Sequence, residues 1–159
     1  MSANQKVEAV LENAIVITKR RVKLYENISE RIDNPEAKKM FSQLIEKMEK
    51  HIELIDKIRQ MLDNYKLIDK HPAAFDLFLS GVSARVVSET ERAERLLLSQ
   101  DIWRTIGLTT TLEMNSMLFF EEISTQFESE EPKTIFKTII DEERSHWAML
   151  THLKNNAEI

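Results

Sequence analysis

No cysteine occurs in the 159 residues, and glycine (2) and proline (3) are almost as scarce. The first absence removes disulfide scaffolds, thiolate metal sites, iron held by four cysteines and cysteine nucleophiles together. The second argues against glycine-rich phosphate loops and turn-rich β architectures. No apolar run approaches the ~20 residues of a membrane span, so no membrane partner is expected. Positive charge is also short. Lys and Arg number 22 against 27 Asp and Glu, for a net charge of -5. That gives no bulk attraction to nucleic acid, and none is expected as a partner. The basic run Lys19-Arg20-Arg21 reads as a solvated helix face. The opening Met-Ser-Ala-Asn-Gln leads directly into charged helical sequence. The expectation is a cytoplasmic protein without a signal peptide.

What is present is helix-forming sequence with a 42% apolar fraction, at the length of a single domain, 1–159. A first helix is predicted from about Val7 to Asp33, with Leu11, Ala14, Thr18, Val22, Tyr25, Ile28 and Ile32 on one stripe at steps of three and four. Asn34-Pro35 ends it and starts the next, Asn34 as cap and Pro35 at the first helical position. The second helix runs to about Asn64 with Leu44, Met48, His51, Ile55, Ile58 and Leu62 inward. A third stripe, from about Asp101 to Phe127, carries Ile102, Ile106, Thr109, Glu113, Ser116, Phe120, Ile123 and Phe127. Gly107 inside it points to close helix packing. The last helix, from Pro132 to about Lys154, turns Phe136, Ile139, Glu143, His146, Leu150 and Leu153 inward.

These elements form two antiparallel hairpins, about 7–64 and 101–154, joined by a crossover over about 65–100. His71-Pro72 and Ser80-Gly81 punctuate the crossover, and Ser88-x-x-Glu91 could cap a helix within it. One continuous crossover helix and two shorter pieces are both open. The hairpins echo each other. Leu24-Tyr25 matches Phe119-Phe120, Phe41 matches Phe136, and His51 matches His146. One such hairpin exposes its apolar stripe, and two close a core.

Polar groups interrupt those stripes. Glu143 and His146, three residues apart, share a helix face and can aim oxygen and nitrogen donors at one point. Glu113 faces the same interior, and His51 offers a second nitrogen. Carboxylates and imidazole together suit iron, manganese or zinc. A two-metal bundle site takes a Glu from each of two helices and a Glu-x-x-His from each of the other two. The second hairpin supplies its half in full. In the first, Thr18 and Met48 stand at the matching carboxylate positions. Without metal, the same groups could form a buried hydrogen-bond network. The methionines read as core or interface residues, His152 as turned away, and His71 as a surface residue. Trp103 and Trp147 either pack between helices or cover a face between subunits.

As a set, Leu24-Tyr25, Asn34-Pro35, Phe41, the segment Glu46 to His51, Glu113, Phe119-Phe120 and the segment Asp141 to His146 resemble the ferritin-like superfamily. The nearest likeness is to its rubrerythrin-type four-helix domain, over nearly the whole chain. The resemblance implies an all-α bundle of two hairpins with a long helical crossover. It also implies iron between the helices and chemistry on peroxide, oxygen or ferrous iron. Glu113, Glu143, His146 and His51 fall on family ligand positions, whereas Thr18 and Met48 replace glutamates. With no cysteine in these residues, an attached four-cysteine electron-transfer domain is not expected.

Three functions follow. The first is a protein with a degenerate di-iron site that binds a single metal ion at Glu113, Glu143 and His146, with His51 in reach. One Fe(II) yields one electron, so efficient two-electron peroxide reduction would need an external electron donor or another route. The second is a metal-free scaffold or protein-binding module. A homodimer is the expected assembly, because Val10, Ile15, Val16 and Ile17 broaden the apolar face of the first helix. Packing against the crossover would account for the same residues. The third is a dinuclear peroxidase or ferroxidase with unusual ligands. No catalytic residue is assigned.

Overall fold

Asn34 takes an extended backbone and its side chain accepts a hydrogen bond from the Ala37 amide at 3.1 Å, with Pro35 opening the helix behind it. This cap folds the chain back on itself after its first long helix. The computed structural model describes residues 2–68 and 72–157. Five helices occupy them: α1 (Ala3–Arg31), α2 (Pro35–Gln60), α3 (Pro72–Leu98), α4 (Ile102–Ser124) and α5 (Glu130–Ala157), with a short 3-10 turn at Leu62–Asn64. The fold is all-α. Among the described residues, the one extended pairing outside the helices is an isolated antiparallel bridge between Leu67 and Phe127. No described helix is long and apolar enough to cross a membrane.

α1 pairs with α2 and α4 with α5, giving the two hairpins, and α3 packs along α4 and α1 as the crossover. α3 is continuous, so Ser80-Gly81 does not break it and Ser88-x-x-Glu91 caps nothing. Ser2, rather than an interior serine, makes a capping box, bonding reciprocally with Gln5. α5 begins two residues before Pro132, which sits in its first turn, where a missing N–H leaves no helical bond unmade. His71 lies outside the described residues. A Cβ on Gly107 would meet Lys154 Cε at 3.3 Å, so the glycine lets that side chain lie across α4.

The expected stripes are buried almost throughout. Ile102 and Leu153, at helix ends, are half-buried. Two apolar clusters fill the bundle. One gathers Val7, Leu11, Ile55, Phe120, Phe127 and Phe136; the other gathers Val22, Tyr25, Ile28, Phe41, Leu44, Ile106 and Leu150. Val10 and Ile15 pack against the first cluster, which also takes Phe75 and Leu79 of α3, while Val16 is exposed. Trp147 packs against that cluster too, and Trp103 is partly exposed.

The duplication is visible in the packing. Tyr25 meets Phe41 in one hairpin, with ring centroids 5.5 Å apart, and Phe120 meets Phe136 in the other at 6.1 Å. His51 and His146 stack on each other at 6.0 Å. Each matched pair (Tyr25 with Phe120, Phe41 with Phe136, His51 with His146) is separated by the same 95 positions. That single offset also pairs Thr18 with Glu113, Arg21 with Ser116 and Met48 with Glu143. All six of these last residues are buried; five are polar and make up a polar layer in the bundle, with Met48 of the second apolar cluster against Arg21.

Candidate metal centre

Glu113 on α4 and Glu143 and His146 on α5 are buried, at 0%, 0% and 4% exposure. Each carboxylate divides its oxygens between two tasks. Glu113 Oε1 accepts from the Tyr25 hydroxyl at 2.7 Å. Glu143 Oε1 accepts from Arg21 Nη2 at 2.6 Å and from Ser116 Oγ at 3.3 Å. Glu113 Oε2, Glu143 Oε2 and His146 Nδ1 have no hydrogen-bond partner although fully buried. His146 Nδ1 lies 3.8 Å from Glu113 Oε2 and 3.9 Å from Glu143 Oε2. The three residues offer ligand atoms all within 4.8 Å of one another.

The electrostatics follow from burying two acids beside one cation. Burial pushes the Glu113 carboxyl well above the usual range; the Glu143 charge adds to this and Arg21 offsets it only in part. Burial pushes Glu143 the same way, but the Arg21 charge, with the neighbouring Glu113 carboxyl and His51 imidazole, outweighs it and holds Glu143 well below that range. Burial drives the His146 imidazole down to about 4, which keeps it neutral and able to donate a lone pair. The resulting arrangement is one fixed anion facing Arg21, one carboxyl that takes a proton or a cation, and one neutral imidazole.

A family model described as Rubrerythrin matches residues 9–154. The chain belongs to the rubrerythrin family. A search of curated proteins and one of solved structures found no match.

The donor set of this rubrerythrin-family chain fits one metal ion. Unpaired buried polar atoms cost free energy, and a divalent ion accepting all three would remove that cost. Two oxygens and a nitrogen suit iron, manganese or zinc. Among the described residues this is the one such donor set, and the positions matched to its carboxylates in the first hairpin add no carboxylate. Thr18 turns its hydroxyl onto the Ala14 carbonyl of its own helix at 2.7 Å. Met48 Sδ accepts from Arg21 Nε at 3.2 Å. The centre is an incomplete, three-ligand cluster, consistent with a degenerate di-iron site.

His51 is buried beside this cluster but outside its three-residue set. Its Nε2 faces Glu142 Oε2 at 2.5 Å, and its Nδ1 lies 3.5 Å from Glu143 Oε1 with no hydrogen-bond partner. Glu142, half-buried, also meets Lys47 at 3.7 Å. A cleft of about 330 Å³ between α2 and α5 is lined by Lys47, Glu142 and His146, so the imidazole borders an opening to the surface.

Two residues of the centre escaped the sequence reading. Arg21, taken as part of a solvated face, is 1% exposed. Its neighbours in the basic run differ from it: Lys19 is exposed, and Arg20 pairs with Glu94 of α3 at 2.8 Å. The signal was present, since 11, 14, 18, 21, 25, 28 and 32 form an unbroken three-four alternation. Glu142 carried no such signal, because it lies off the inward stripe and reaches His51 from the rim.

Proposed function

We propose that this chain binds a single divalent metal ion through Glu113, Glu143 and His146, with iron as the family's metal and zinc or manganese compatible with the same donors. The observation that carries this reading is the convergence of three buried, unpaired donor atoms at the core of a rubrerythrin-family bundle. Tyr25, Arg21 and Ser116 hold the remaining carboxylate oxygens and so orient the free ones inward. His51 stands behind Glu143, held by Glu142, and serves better as a support for that ligand than as a fourth donor. Iron bound there would supply a redox-active Lewis acid for the handling of iron or peroxide. The cleft at His146 provides the route by which ion or small substrate reaches the layer.

A second reading, the metal-free scaffold, draws on one specific observation. Arg21 already pairs with Glu143 at 2.6 Å and lies 3.9 Å from Glu113, so the acids are not left without a counter-charge. The unpaired atoms on the far side favour the ion over the scaffold. Metal content of the full chain after anaerobic Fe(II) loading and gel filtration separates the readings. One ion per chain, lost in Glu143→Gln and His146→Ala, is the expected result. No retained ion would establish the scaffold, and two would establish a dinuclear centre with unusual ligands.

A further inference from the structure

The duplication makes a specific comparison possible at position 21. Ser116, its counterpart, is a small, neutral, buried residue. Arg21 instead fills the polar layer with a guanidinium, 2% exposed as a side chain. It touches Glu143 at 2.6 Å, lies 3.9 Å from Glu113, and spans to Met48 at 3.2 Å. It therefore lies between the two surviving carboxylates and one of the two positions that lost theirs. Guanidinium stays protonated under all ordinary conditions and cannot leave the site as an ion can. The Glu113 and Glu143 charges reinforce this in spite of burial, which opposes it.

We propose that Arg21 is the resident second cation of this centre: its guanidinium stands in the half of the layer that a second metal ion would need, limits the chain to one ion, and disfavours the trivalent state of that ion. The inference deepens the one-ion reading and rests on it. The charges give the reason. Two carboxylates balance one guanidinium and one further positive charge. A proton on Glu113 satisfies that balance, a divalent ion exceeds it by one, and a trivalent ion exceeds it by two. In a buried layer each unit of excess is costly. Arg21 is here a positioning and charge-setting residue that need not touch the ion.

The comparison that tests this uses four forms of the full chain: wild type, Arg21→Gln, Thr18→Glu/Met48→Glu, and Thr18→Glu/Arg21→Gln/Met48→Glu. Each is loaded anaerobically with Fe(II), assayed for retained iron, and checked by circular dichroism for native helix content. The expected result is one ion in wild type, one in the double variant that keeps Arg21, and two in the triple variant. The Fe(III)/Fe(II) potential of wild type should lie above that of Arg21→Gln, by at least a tenfold preference for Fe(II), or about 60 mV. Two ions in the double variant would overturn the inference while leaving the one-ion reading intact. An equal or lower potential in wild type than in Arg21→Gln would also overturn it, and needs no triple variant to fold. No iron in any form would overturn the one-ion reading itself, and iron in Arg21→Gln but not in wild type would show that the guanidinium excludes both ions.

Discussion

The two hairpins of this bundle share a packing plan and differ in charge. Each places an aromatic pair beside the polar layer, Tyr25 with Phe41 and Phe120 with Phe136, and each brings a histidine into a common stack. Across the 95-residue offset, however, Glu113 corresponds to Thr18, Glu143 to Met48 and Ser116 to Arg21. One hairpin supplies anions to the layer. The other supplies a cation, a thioether and a hydroxyl already spent on its own helix. The guanidinium of one hairpin and the two acids of the other are coupled as the buried charges of a single layer. Without Arg21 the two buried acids of the metal-free layer would have no fixed cation beside them.

The largest break in this comparison comes from removing the cation. Arg21→Met leaves Glu113 and Glu143 buried with no fixed counter-charge, so metal-free protein should lose about 3–5 kcal/mol of unfolding free energy. Urea unfolding of chelator-treated protein measures it. Added Zn(II) should return part of the loss, about 2.7 kcal/mol at a hundredfold excess over Kd. A loss below about 1 kcal/mol would mean that the acids do not depend on Arg21, and the coupling would fail.

Tyr25→Phe is the next effect in size. It installs the residue type that the opposite hairpin carries at Phe120 and deletes the hydroxyl that holds Glu113 Oε1. Losing such a support should cost 10- to 100-fold in metal affinity, with about 1–3 kcal/mol of stability in the metal-free protein. Calorimetric titration with Zn(II) reads the first and thermal unfolding the second. Unchanged affinity would show that Glu113 is oriented by its helix alone.

Most of the fold was legible because apolar periodicity reports on helices directly. Leu11, Ala14, Thr18, Val22, Tyr25, Ile28 and Ile32 were expected inward and all are buried. The hairpin turn at Asn34-Pro35 followed from cap chemistry. The crossover was harder, since α3 carries Ser80-Gly81 and Ser88-x-x-Glu91 within a continuous helix. Propensity and cap signals there yield to packing along α4 and α1. In the centre, Glu113, Glu143 and His146 were readable as polar residues on apolar stripes. Arg21 lies in the same three-four register, but its burial depends on a counter-charge 122 positions away on α5, and a basic run without a known counter-charge defaults to solvent. Long-range pairing of this kind has no local signature.

A smaller effect sharpens the contrast between Arg21 and its counterpart. Ser116 Oγ reaches Glu143 Oε1 at 3.3 Å, a longer contact than the 2.6 Å from Arg21. Ser116→Ala should cost about 0.5–1.5 kcal/mol and leave the metal stoichiometry unchanged. Urea unfolding and metal analysis side by side would show it. A cost matching that of Arg21→Met would mean that Glu143 is held by neutral hydrogen bonding rather than by charge.

Thr18→Val should produce the least change of all. Thr18 is the direct counterpart of Glu113 and is 2% exposed, so position alone would suggest a ligand. Its hydroxyl nevertheless donates to the Ala14 carbonyl of α1 at 2.7 Å and has no bond into the polar layer. Valine keeps the β-branched shape, and the carbonyl keeps the helical N–H bond of residue 18. The expected cost is therefore within about 1 kcal/mol, with metal affinity unchanged in Zn(II) titration. If affinity fell tenfold or more, the Thr18 oxygen would have to turn into the layer when metal binds. The first hairpin would then contribute to the ion, and the division of the centre into a donor half and a closed half would not stand.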